Sequence, residues 1–241
     1  MRDNRELKGI GKAAFKANYW SSVVASLLLY ALTGGAAAAH SSNGQSATDT
    51  TTQGGQQIED MISGLTSTQQ LEIFGAIAAT GLLITIVSVL IKIFLINPLQ
   101  VGCYRFFRNN VASTGATLSD LKEGFGDYGR VFLTLFLRDL FTFLWALLLF
   151  IPGIVKSYSY RLVPYLLKDH PELSPTEAIT RSRQMMDGHK WQAFVFDLSF
   201  IGWYLLGFLT LGAVNVFWSN PYHDNAAAAF YLDLEYPSAA Y

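Results

Sequence analysis

The sequence has one cysteine, Cys103, which excludes an intrachain disulfide and any metal cluster built on several thiolates. Charge is scarce as well: Asp, Glu, Lys and Arg supply 15% of 241 residues, against about a quarter in a soluble domain. The formal net charge of −1 is uninformative, because the positions of the charges matter and their sum does not; the basic clusters read as topology signals and not as nucleic-acid patches. A glycine-rich phosphate loop, a Gly-x-Ser-x-Gly elbow and a His-Glu-x-x-His pair are all missing. His40, His170 and His189 fall in loops or at the ends of apolar runs, without metal-ligand spacing. These gaps argue against an enzyme and against a resident cofactor or metal.

What the chain does have is apolar residues, 51% of the total, gathered in runs of the length that crosses a bilayer core of about 30 Å. The fold class expected is all-α: a polytopic helical membrane protein forming one domain over residues 1–241. Six spans are expected: about Tyr19–Ala39, Leu71–Ile96, Gly129–Phe150, Ile151–Leu167, Trp191–Leu209 and Gly212–Leu232. Residues 1–18, with Arg2, Arg5, Lys8, Lys12 and Lys16, read as a cytoplasmic amphipathic N-terminus. The acidic Asp3 and Glu6 argue for a retained first span over a signal peptide cleaved near Ala36–Ala39. Residues 40–70 carry no Lys or Arg and read as a flexible external loop.

Basic residues set the orientation. Arg105, Arg108, Lys122 and Arg130 lie between the second and third spans, and Lys168, Arg181, Arg183 and Lys190 between the fourth and fifth. By the positive-inside rule both termini are cytoplasmic. The run Ser174-Pro175-Thr176-Glu177 predicts a capping box opening a helix over 174–187, read as lying on the inner membrane surface.

A repeat runs through the second half. Asp139 with Trp145 recurs as Asp197 with Trp203, each pair offset by 58 residues. Each inward span also carries a proline, Pro98, Pro164 and Pro221, expected to kink its helix. Three side-by-side hairpins account for both patterns, the first being the most diverged.

The candidate polar core or pathway consists of Arg138, Asp139, Arg161, Asp197, His223 and Asp224. A carboxylate within a span costs roughly 3 kcal/mol and must find a partner or water. Two arrangements fit: an Arg138–Asp197 pair across helices, or Arg138–Asp139 completed by water. His223 and Asp224 form either a seam bonded to Tyr158, Tyr160 and Arg161, or part of a proton or ion path.

The runs Ile151-Pro152-Gly153-Ile154, Tyr158-Ser159-Tyr160 and Val163-Pro164-Tyr165 have a further significance. With Leu173-Ser174-Pro175, Gly188-His189-Lys190-Trp191, Phe200-Ile201-Gly202-Trp203 and Pro221-Tyr222, they resemble the domain-of-unknown-function 975 family (DUF975) over nearly the whole chain. The resemblance implies integral membrane proteins found mainly in Gram-positive bacteria, distantly similar to the membrane domain of glycerophosphodiester phosphodiesterases. It implies a six-helix unit in the bacterial cell membrane and assigns no activity. The function expected is a non-enzymatic accessory or scaffold module engaging lipids, anionic ones included, or partner membrane proteins. The alternative is a small transporter or channel, and the third reading is an intramembrane enzyme acting on lipid.

Overall fold

A computed structural model describes residues 1–32, 66–91, 95–112 and 115–237. The end of the first expected span, Ala36–Ala39, His40 and most of the 40–70 loop lie outside these residues. The described chain is helical, without strands.

Helix α1 (Asn4–Ala17) opens at Asp3, whose side chain accepts from the Asn4 amide at 2.8 Å. Leu7, Gly11 and Phe15, four residues apart, form its one buried stripe. That stripe lies on the last helix, α11 (Asn220–Glu235). Gly11 permits the approach, since a Cβ there would stand 2.4 Å from the Ala226 Cα. Burying Leu7 and Phe15 contributes about 2 kcal/mol each, enough to hold a helix that would be marginal alone. Asn18 ends α1 and turns the chain into α2 (Tyr19–Leu32), which buries Ser22, Ala25, Ser26 and Leu29.

Among the described residues, three helices are long and apolar enough to cross a membrane: Leu71–Ser88 within α3 (Ser67–Ile91), α5 (Tyr128–Leu148), and Lys190–Leu209. The last comprises α9 (Lys190–Leu198) and α10 (Ile201–Leu209). The shorter apolar helix α2 does not reach that length within the described residues. The remaining expected spans are interrupted for a local reason. The fourth breaks into α6 (Phe150–Ser159) and α7 (Val163–Asp169), and the sixth carries a π-helical turn, Asn215–Ser219, before α11.

The break at Tyr160–Leu162 and the π-helical turn each sit just ahead of a proline. Pro98, Pro164 and Pro221 occupy the first turns of α4 (Asn97–Val111), α7 and α11. A proline lacks the N–H that a helix interior needs but loses nothing in a first turn. Pro164 begins α7 after the turn Tyr160–Leu162, whereas Pro98 and Pro221 follow π-helical residues that run directly into α4 and α11 and so lie within continuous helical backbone. Helix α4 packs against both α7 and α11. Tyr104, Tyr165 and Tyr231 continue one another across these helices, with ring centroids 4.8 and 4.7 Å apart.

Helix α8 (Pro175–Met185) has the capping box: the Ser174 amide donates to Glu177 Oε2 at 2.8 Å, and the Glu177 amide to Ser174 Oγ at 3.4 Å. Its less polar face is occupied by protein. Ala178, Ile179 and Ser182 are buried, and the helix packs on α5 and α7.

The molecule thus has two unlike halves. One is densely packed around Phe15, Phe106, Phe107, Leu166, Phe196 and Tyr231 and is rimmed by ion pairs. There Asp169 accepts from Arg105, from Arg108 Nε at 3.0 Å and from the Tyr231 hydroxyl at 2.8 Å. Glu235 meets Arg181 and His170, and Arg130 donates to the carbonyls of Leu167, His170 and Leu173. The other half exposes apolar side chains: all of Leu71–Ser88, Phe143–Leu149, Ile151, Ile154 and Val155, and Leu205–Leu206 with Phe208–Leu209. Such a surface is unsuited to water and suited to hydrocarbon.

Candidate functional site

Three helices and one helix break bring the six candidate residues to the boundary between these halves. Arg138 and Asp139 come from the middle of α5, Asp197 from the last turn of α9, and His223 and Asp224 from the first turns of α11. Arg161 is in the turn Tyr160–Leu162 that separates α6 from α7. Broken backbone at this depth needs protein or water beside it, and the guanidinium is delivered where the helix stops.

Arg161 binds Asp197 through two parallel bonds, Nη1 to Oδ2 at 2.8 Å and Nη2 to Oδ1 at 2.9 Å. The Tyr158 hydroxyl donates to Oδ2 at 3.1 Å, and His223 Nε2 lies 3.0 Å from Oδ1. On its other side His223 Nδ1 is 3.6 Å from Asp224, which accepts from the Ser26 hydroxyl of α2. A chain of polar and ionisable side chains therefore joins α6, α9, α11 and α2. Aromatic rings of Phe196 and Phe200 flank His223 at 5.6 and 4.9 Å between centroids.

Arg138 pairs with its neighbour Asp139 and not with Asp197. Both Nε (2.9 Å) and Nη2 (2.7 Å) converge on the single oxygen Oδ1. Of the two expected arrangements, the one within α5 is observed, and Arg161 takes the role toward Asp197 that the other gave to Arg138. Tyr158 joins the seam through Asp197.

A cleft of about 760 Å³ lies between α5 and α6. Its floor is Arg138, Asp139, Arg161 and Asp197, with Tyr104, Tyr158 and Tyr160 beside them. Toward the turn joining α5 and α6 its walls become Phe143, Ala146 and Ile154. Eight residues separate Arg138 from Ala146, about 12 Å along a helix, so polarity falls off steadily along the cleft. A second cavity of about 220 Å³ reaches Asp224, Ser26 and Tyr204, and Tyr104 borders both. No group of three metal-ligating side chains occurs among the described residues.

Two participants carry little sequence signal. Ser26 lies in an apolar run, and only its spacing of four from Ser22 marks a polar stripe on α2. Tyr104 is one of twelve tyrosines, and its position between two cavities follows from tertiary packing alone. A third polar junction, Asn110 with Asn225 Oδ1 (2.6 Å) and Ser22, ties α4, α11 and α2 together beneath the site.

Residues 146–237 match the family model described as a protein of unknown function (DUF975). The match supports the resemblance and is narrower than the nearly full-length one expected, leaving out residues 1–145. It includes Arg161, Asp197, His223 and Asp224, while Arg138 and Asp139 precede it. No curated protein matches the chain, and no solved structure does.

Proposed function

We propose that this protein is a non-enzymatic, multi-pass membrane module that engages lipid through the cleft between α5 and α6. The observation that carries the reading is the polarity gradient of that cleft. Paired charges form the floor, and the walls merge into the exposed apolar ends of α5 and α6. An amphiphile has the same division along its length, a polar head and an apolar tail. In this reading six helical passes form three hairpins in the bacterial cell membrane with both termini cytoplasmic. The basic residues at the packed end then attract anionic headgroups, at about 1 kcal/mol each near the surface. Partner membrane proteins remain part of the proposal, with a scaffold role for the packed half.

Photolabelling tests this. A lipid carrying a photoreactive group at its chain end, incorporated into cell membranes, is expected to label Phe143 and Ile154 and to do so less when Ser157→Trp fills the cleft. Labelling confined to α3 and α10, unchanged by Ser157→Trp, contradicts the reading.

A second reading, transport, is favoured by one observation: the site lies at the helix break Tyr160–Leu162 and beside α11, which follows a π-helical turn, and discontinuous helices bind solutes in transporters. Proton or ion flux in proteoliposomes, lost in Asp197→Asn, supports transport, and absence of flux under every gradient counts against it.

A further inference from the structure

The two aspartates related by the 58-residue repeat are bonded very differently. Every oxygen of Asp197 is shared: Oδ1 meets Arg161 Nη2 and His223 Nε2, and Oδ2 meets Arg161 Nη1 and the Tyr158 hydroxyl. Four contacts fill the sites that a carboxylate offers. Asp139 uses one oxygen only. Arg138 Nε and Nη2 both address Oδ1, and among the described residues no partner meets Asp139 Oδ2 or Arg138 Nη1. The Asp139 side chain is 43% exposed and that of Arg138 16%, both toward the cleft.

From this difference we infer that the Arg138–Asp139 pair is a seat for a zwitterionic headgroup, one bearing a primary ammonium and an anionic phosphate or carboxylate. The inference rests on the cleft being a ligand site, as proposed above. Asp139 Oδ2 accepts an N–H from the ammonium, and Arg138 Nη1 donates to the anionic oxygen. Bonding through the Nε–Nη2 edge leaves Nη1 free on the other edge of the guanidinium and Oδ2 free on the carboxylate, while the pair stays neutral overall. A purely anionic head meets Asp139 repulsion, and a purely cationic one meets Arg138. A quaternary ammonium has no N–H to give, so it loses the charge-assisted bond to Oδ2. Asp197, being saturated, holds the helices and leaves recognition to Asp139. Thr142 supports the arrangement by donating to the Arg138 carbonyl at 2.8 Å.

The same head can come from a phospholipid or from a soluble zwitterion, and the test separates them. Purified protein in detergent is titrated with short-chain phosphatidylethanolamine, phosphatidylcholine and phosphatidylglycerol, and with glycerophosphoethanolamine, which has the head and no chains. Ligand-induced rise in melting temperature gives the affinities. Phosphatidylethanolamine is expected to bind about tenfold tighter than phosphatidylcholine. Asp139→Asn is expected to erase that preference and Asp139→Glu to restore part of it. Equal binding of the ethanolamine and choline lipids, or a preference that survives Asp139→Asn, overturns the seat while leaving the amphiphile cleft standing. A shift from glycerophosphoethanolamine as large as from the lipid supports the seat and removes lipid as its source. No shift from any of the four overturns both readings.

Discussion

Arg161 and Asp197 face each other through two parallel hydrogen bonds of 2.8 and 2.9 Å, joining a break between helices to the last turn of another. This geometry fixes direction as well as charge. It also makes each partner dependent on the other. Replacing Arg161 by Met leaves Asp197 partly buried with Tyr158 and His223 alone, at a cost of about 3 kcal/mol. Replacing both, Arg161→Met with Asp197→Leu, is expected to recover much of that loss, because neither charge is then left uncompensated. Melting temperatures of the two singles and the double, compared as a cycle, check this. Strict additivity would show that the pair contributes no coupling.

The docking of α1 on α11 depends on Gly11. A Cβ at this position stands 2.4 Å from the Ala226 Cα and 2.5 Å from its amide nitrogen, so backbone must move. Gly11→Val is expected to detach residues 1–17, with faster amide exchange across Leu7–Phe15 and little change at Leu166. Unaltered exchange in α1 would mean that the helix tolerates a wider separation.

Cys103 is fully buried in α4, and burial, with the Asp224 charge adding to it, pushes its thiol up to about 12. Thiolate is the reactive form, so native protein is expected to resist maleimide at pH 7–8. Any stability from keeping the thiol neutral is present below its unfolded value and is lost as pH rises through the folded one. A cysteine placed at the exposed Gln184 of α8 is expected to react quickly under the same conditions. Rapid native labelling of Cys103 would contradict the packing of α4.

At the N-terminus of α8 the Ser174 hydrogen bonds hold the Glu177 carboxyl below its usual range. The sign follows from linkage: the contribution is present above the unfolded value and disappears as pH falls through the lower folded one. Ser174→Ala is expected to cost about 1 kcal/mol. Amide exchange of residues 176–179, measured across the acid range in wild type and Glu177→Gln, should show the pH dependence in wild type alone.

The legible parts of this chain were those encoded by local pattern. The Ser174–Glu177 box, the apolar runs of α3 and α5, and the neighbouring pair Arg138–Asp139 follow from residue type and spacing. The prolines were read as kinks because proline breaks a helix. Whether the backbone opens into a turn, as before Pro164, or takes π-helical residues, as before Pro98 and Pro221, depends on packing and carries no sequence mark. Arg161 is the clearest case. Its partner, Asp197, is 36 residues away, and only the break at Tyr160–Leu162 turns the guanidinium toward it. The face of α8 was equally ambiguous, since the same less polar stripe serves a membrane surface or a protein core. Burial of Ala178, Ile179 and Ser182 assigns it to protein.

The central claim is that the cleft between α5 and α6 holds one amphiphile, and native mass spectrometry of the detergent-purified protein tests it most directly. A single bound lipid, retained in wild type and lost in both Ser157→Trp and Arg138→Gln, is the predicted result. A spectrum of bare protein, or lipid adducts equally abundant in all three proteins, would contradict it.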